Sequence, residues 1–228
     1  MNKDGKRVKR KMPKFLEIEE LQELEKPLFE RAKKAASKNK YLLKCKEQIA
    51  IRDFAVLTLV YSCALRISEA VNLKMINIDL KRQYIRVCDS KGDDRMVYIP
   101  DPTIDVLKQW LEIRPKNDNP YFFCNVKGTT RPGEEPKPLG RDYYNKLISR
   151  LADETGVRLA GGQELQKPHP HTLRHTRAMN YLDSGIDLNV IQKLLGHKNL
   201  ATTQVYAEVR QEVTDNVQKE NTNGILSF

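Results

Sequence analysis

The sequence predicts a mainly α-helical chain carrying one small antiparallel β-sheet, an α+β arrangement. Apolar residues recur at helical spacing through most of the 228 residues. One stretch, residues 84–99, switches instead to strand-like runs around a polar turn. No apolar run reaches the roughly 18–20 residues that a membrane helix requires. The most apolar stretch, residues 54–65, ends in Arg66. Hydrophobic residues at 39% beside charged residues at 31% suit a folded chain, whose length allows one sizeable core or two small ones.

The elements follow in order. Residues 1–14 carry Lys3, Lys6, Arg7, Lys9, Arg10, Lys11 and Lys14 against one acid, Asp4, and read as a basic arm or linker. Residues 17–37 place Leu21, Leu24, Leu28 and Ala32 on one helical face, with Pro27 a point for a kink. Residues 47–64 form a second helix, nearly apolar after Asp53 and therefore central to the core. Ser68 is the expected N-cap of a short helix holding Ala70, Val71 and Leu73. Residues 84–88 and 95–99 form a hairpin, which Pro100 stops. Pro102 opens a helix to about residue 113, and residues 121–123 are the expected third strand. After a Gly/Pro-rich loop at 127–137, residues 139–155 are helical, and 156–170 form another loop. Three closely joined helices follow at 172–184, 187–195 and 200–209, the first two ended by Gly185 and Gly196.

A net charge of +10 favours a polyanionic partner through counterion release from phosphates. The N-terminus has no apolar secretory segment. Cys45, Cys63, Cys88 and Cys124 show no C-x-x-C spacing, which argues for reduced thiols acting as small core residues. These readings place the chain in the cytoplasm, at the nucleoid, with no membrane partner.

Chemistry-bearing groups concentrate between His169 and Tyr206. His171 and Arg174, three apart, share a face at the start of a helix, where free N–H groups and the dipole favour anions. An arginine there can clamp a phosphate with two charge-assisted hydrogen bonds. His197 follows the helix-ending Gly196, and Tyr206 lies nine residues further on.

The strings His171-Thr172-Leu173-Arg174-His175-Thr176, Leu194-Leu195-Gly196-His197 and Thr202-Thr203-Gln204-Val205-Tyr206 resemble the C-terminal signature of the tyrosine recombinase (phage integrase) family. Upstream, Ala64-Leu65-Arg66-Ile67-Ser68-Glu69-Ala70 is similar to that family's first arginine box, and Ser90-Lys91-Gly92 to the turn that carries its lysine. The resemblance covers residues 15–209 and implies a tyrosine recombinase catalytic-domain fold. It implies that Tyr206 attacks a DNA phosphodiester, leaving a 3′-phosphotyrosine and a free 5′-hydroxyl. Arg66 and Arg174 would stabilise the pentavalent transition state, and His171 would accept the tyrosine proton. His197 would bond the scissile phosphate, and Glu69 would orient Arg66. Lys91 would protonate the leaving oxygen, with Lys81, Arg82 and Arg95 as nearby alternatives. Implied partners are double-stranded DNA, further copies of the chain as a tetramer on paired sites, and accessory DNA-bending proteins.

Other readings stay open. His169, His171, His175 and His197 lack a carboxylate or cysteine at metal-binding spacing, so no metal and no cofactor is expected. His175 reads as a buried structural histidine and His169 as an exposed one. Residues 187–209 could pass for a helix-turn-helix DNA-binding module, which leaves Arg66 and Lys91 unexplained. A type IB topoisomerase uses a similar residue set to relax supercoils. The family usually has a helical core-binding domain before the catalytic one, and nothing here corresponds to it. The chain is then either a fragment or a compact single-domain form. Residues 210–228 end in Ile225, Leu226 and Phe228; the family resemblance implies a tail that docks on a neighbouring subunit, and the alternative is a frayed end.

Overall fold

The computed structural model describes residues 14–88, 94–127, 135–159 and 166–196. The chain divides into two compact units, Phe15–Arg177 and the pair of segments Met1–Lys14 and Ala178–Phe228. In the first unit the elements run α1 (Ile18–Ala36), α2 (Cys45–Ser62), α3 (Ile67–Val71), β1 (Ile78–Asp79), β2 (Tyr84–Val87), β3 (Arg95–Tyr98), α4 (Asp101–Ile113) and α5 (Arg141–Thr155). α6 (Pro170–Asp183) begins in this unit, and α7 (Leu188–Leu195) lies in the second. The architecture is thus mainly α with a small antiparallel sheet.

α1 buries Leu21, Leu24, Leu28, Ala32 and Ala35, a one-sided stripe at helical spacing. Glu19 and Glu20 sit in its first turn and Lys33 and Lys34 in its last, each sign matched to the dipole. The helix continues through Pro27. α2 is buried on nearly every side and packs against both α1 and α4, so it is the central post of the core. α5 lies against α1 and contributes Tyr144, Leu147, Ile148 and Leu151. Between α2 and α5 runs a buried polar network. The Asp53 carboxylate accepts from Arg52 Nη2 at 2.7 Å and from the Tyr144 hydroxyl at 3.2 Å, and the Tyr143 hydroxyl donates to its other oxygen. With every oxygen engaged, the charge is tolerable inside the protein, although burial still pushes the Asp53 carboxyl up.

The sheet order is β1-β2-β3, all antiparallel. Residues Tyr84 to Val87 pair with Tyr98 to Arg95, so Ile85, Val87 and Val97 face the core while Tyr84, Arg86, Met96 and Tyr98 face outward.

Several expectations are corrected. The third strand is Ile78–Asp79, not residues 121–123. There the carbonyls are taken by side chains: Trp110 Nε1 donates to Phe122 at 2.9 Å, and Arg114 donates to Asn119, Tyr121 and Phe122. A single bridge, Lys74 to Tyr121, is what remains of strand pairing. The N-cap of α3 is Arg66, not Ser68, because Glu69 supplies a carboxylate that accepts the Arg66 backbone N–H at 2.8 Å. Cys63 and Cys124 are core residues as expected, but Cys45, heading α2, and Cys88, just past β2, are exposed. The helix expected at 200–209, the basic arm up to residue 13 and the tail 210–228 lie outside the described residues.

Candidate active site

The site is built where α2 gives way to α3. Ala64 takes a left-handed conformation, φ +49°, which costs a non-glycine residue about 1–2 kcal/mol. The turn aims its carbonyl at Arg174, whose Nη1 donates to it at 2.7 Å across 110 positions of sequence. Two residues later Arg66 opens α3. Glu69, one turn on, accepts both the Arg66 N–H and its Nη1, each at 2.8 Å.

Two further guanidiniums reach the same carboxylate. Arg95, the first residue of β3, grips it with a parallel fork, Nη1 to Oε1 at 3.0 Å and Nη2 to Oε2 at 2.8 Å. Arg174 of α6 brings Nη1 to 3.7 Å from Oε2. Among the described residues, three cations around one anion leave the cluster positive. Burial pushes the Glu69 carboxyl up, but the Arg95 hydrogen bonds and charge, with Arg66 and Arg174, outweigh it and hold the group below the usual carboxylate range. The three arginines differ in exposure. The Arg174 and Arg95 side chains are 3% and 13% exposed, whereas that of Arg66 is 36% exposed and open to an incoming ligand.

α6 starts with Pro170, whose missing N–H costs nothing at a helix start. Thr172 secures the turn by accepting the His169 N–H at 3.1 Å. His171, on this first turn, is exposed at its rim. Partial desolvation, then the positive fields of His169, Arg174 and Arg66, hold its imidazole below the usual value, with Glu69 opposing. It is therefore neutral at neutral pH and fit to accept a proton. His169 is exposed, as expected, and its pKa is lowered by desolvation. His175 is half-buried rather than buried, its ring centroid 6.4 Å from that of His171.

Of the residues singled out in the sequence, the structure brings together Arg66, Glu69, His171 and Arg174. Lys91, His197 and Tyr206 lie outside the described residues. Of the alternatives to Lys91, Lys81 and Arg82 sit on the exposed turn between β1 and β2, whereas Arg95 joins the cluster. Its place was legible in strand alternation, since Arg95 shares the inward parity of Val97. Nothing in the sequence marks Ala64, because alanine seldom adopts positive φ. Among the described residues no group of histidine, cysteine or acidic side chains could hold a metal ion, and no helix is long and apolar enough to cross a membrane.

The chain belongs to the phage integrase family, whose sequence profile matches residues 29–212. It is 34% identical over 160 residues to the tyrosine recombinase XerA of Pyrococcus furiosus, covering 70% of this chain and 51% of that protein. To the tyrosine recombinase XerD of Listeria innocua it is 32% identical over 179 residues, 75% of this chain and 55% of that one. The chain thus spans about half the length of the curated relatives it matches. Among solved structures, the XerH site-specific recombinase bound to a palindromic difH substrate superimposes with a TM-score of 0.68 at 24% identity, covering 91% of this chain and 53% of that one. That likeness concerns the fold alone.

Proposed function

We propose that this chain is the catalytic domain of a site-specific DNA recombinase that cleaves and rejoins strands through a 3′-phosphotyrosine. The observation that carries the reading is the convergence of Arg66, Arg174 and His171 around Glu69 from segments about a hundred residues apart. A positive cluster with one solvent-open guanidinium is a seat for a phosphodiester. Tyr206 Oη attacks phosphorus, the bond from phosphorus to the 5′-oxygen breaks, and the Tyr206 proton passes to His171. Lys91 protonates the departing oxygen, and His197 bonds a non-bridging oxygen. Arg66 and Arg174 hold the charge that grows on the other phosphate oxygens. Glu69 orients the arginines. The phosphotyrosine conserves the energy of the broken bond, so rejoining needs no nucleotide cofactor.

The same reading assigns residues 15–209 to catalysis and residues 1–14 to an arm along the DNA backbone. The tail 210–228 docks on a neighbouring subunit within a tetramer on paired double-stranded sites, with accessory DNA-bending proteins, in the cytoplasm at the nucleoid. The test is a nicked suicide duplex mixed with the protein. An SDS-stable protein–DNA adduct that Tyr206→Phe lacks is the expected outcome. Binding without any adduct points to a DNA-binding module, and relaxation of plasmids bearing no recombination site points to a topoisomerase.

A further inference from the structure

We infer that Arg95 is a positioning residue of the cleavage site: by gripping Glu69 with both arms of its guanidinium, it fixes the carboxylate that aims Arg66 and Arg174. The inference rests on the function proposed above and names a residue with no role in that chemistry.

The sheet places it. Arg95 pairs with Val87 and shares the core-facing side of β3 with Val97, while Met96 and Tyr98 point to solvent. A charged residue on the inward face of a strand is costly unless paired. Here the pairing is a two-point fork to a residue 26 positions earlier, which ties β3 to α3.

The rest of the carboxylate's surroundings define what the fork does. Without Arg95, Glu69 keeps the Arg66 N–H and Nη1, with Arg174 further off at 3.7 Å. Arg66 is the most exposed of the three. Without the fork, Oε2 keeps the Arg66 backbone N–H as its anchor while Oε1 is held only by this solvent-facing guanidinium, so the carboxylate can turn about the backbone anchor. Turning it shifts both guanidiniums that face the phosphate, and misplacement of about 1 Å is expensive in catalysis.

Stability does not account for the charge. Arg95 Nε is buried with no hydrogen-bond partner among the described residues, a standing penalty that an apolar side chain would avoid. Glu69 remains compensated by Arg66 and Arg174 when Arg95 is removed, so the usual cost of orphaning a buried charge does not arise. Nor is Arg95 a proton donor to the leaving oxygen. A guanidinium does not give up its proton in proteins, and both terminal nitrogens are engaged by Glu69.

The experiment measures single-turnover adduct formation on the nicked duplex at saturating protein, together with duplex affinity and Tm. Wild type is compared with Arg95→Met and Arg95→Lys. By analogy with groups that orient metal ligands, Arg95→Met should lower the saturated rate by roughly 10- to 100-fold while leaving affinity and Tm close to wild type. Arg95→Lys should recover part of the rate, because one ammonium reaches one oxygen where the fork reaches two. A wild-type adduct with an Arg95→Met rate within twofold of it overturns this inference alone. Losses of rate that parallel losses of Tm in both variants overturn it too, assigning Arg95 to the fold. A wild-type protein that forms no adduct overturns the functional reading and this inference with it.

Discussion

Replacing Glu69 with glutamine keeps the side chain's shape and removes the anion on which three guanidiniums converge. Glutamine can still accept from the Arg66 N–H and one arm of Arg95, so the loss is chiefly of charge. At an effective dielectric near 20, a charge pair about 4 Å apart is worth roughly 4 kcal/mol before desolvation. The contacts here are at 2.8 and 3.0 Å to Arg95 and 3.7 Å to Arg174, with Glu69 itself 12% exposed. Arg66, at 36% exposed, counts on the surface scale, below about 1 kcal/mol. Removing one partner of a buried pair costs about 3–5 kcal/mol, and leaving two buried cations without their anion argues for about 4. In a domain of this size that lowers Tm by about 8–16 °C. Calorimetry at pH 7 and low salt reads it, with and without inorganic phosphate. Phosphate should restore more Tm to the variant than it adds to wild type, because it replaces the missing anion. The Glu69 carboxyl is held below its usual value, so its contribution is present above the unfolded pKa of about 4.3 and lost as pH falls through the folded value. The gap between wild type and variant must therefore narrow below pH 4. A Tm loss under about 2 °C, or a gap constant from pH 7 to 3, refutes the charge-hub account.

His171 must be neutral to take a proton, and its pKa lies below 6.5, so adduct formation should stay level from pH 8 to 7 and fall only in more acidic buffer. A rate already halving between pH 8 and 7 contradicts this. Burial pushes the Glu25 carboxyl to about 7. Its folded pKa is raised, so stability is fully present below the unfolded value and drains away as pH climbs to about 7. Glu25→Gln should consequently stabilise the protein by up to about 3 kcal/mol at pH 8 and have little effect at pH 4, as read from urea unfolding; equal effects at both would dismiss the reasoning. Ala64→Gly should raise the urea midpoint slightly by relieving positive φ, and Ala64→Val should lower it, so midpoints moving the same way would contradict the backbone reading.

The helices were legible because their apolar spacing survives the surface charge: Leu21, Leu24, Leu28 and Ala32 announce α1, and the unbroken apolar run of α2 announces a buried post. The hairpin was legible from its two runs and polar turn. The third strand was not, since Ile78–Asp79 is two residues long and carries no period, whereas Tyr121, Phe122 and Phe123 look like a strand until Trp110 and Arg114 claim the carbonyls of Tyr121 and Phe122. Within the site, pairs close in sequence could be read directly. His171 and Arg174 share a helix face, as do Arg66 and Glu69. That the two pairs meet is a tertiary fact, and spacing within either segment does not contain it. Arg95 is the intermediate case, its inward direction readable and its partner not.

A strand repeats every two residues, and β3 anchors one of its inward positions with a charge rather than with bulk. Any change of length ahead of β3 must keep the count along the strand in parity for Arg95 to stay inward. Slipping the strand by one residue swings the guanidinium of Arg95 to the solvent side and drives the methionine beside it toward α3. Drift along this strand is therefore quantised: it moves in steps of two or not at all.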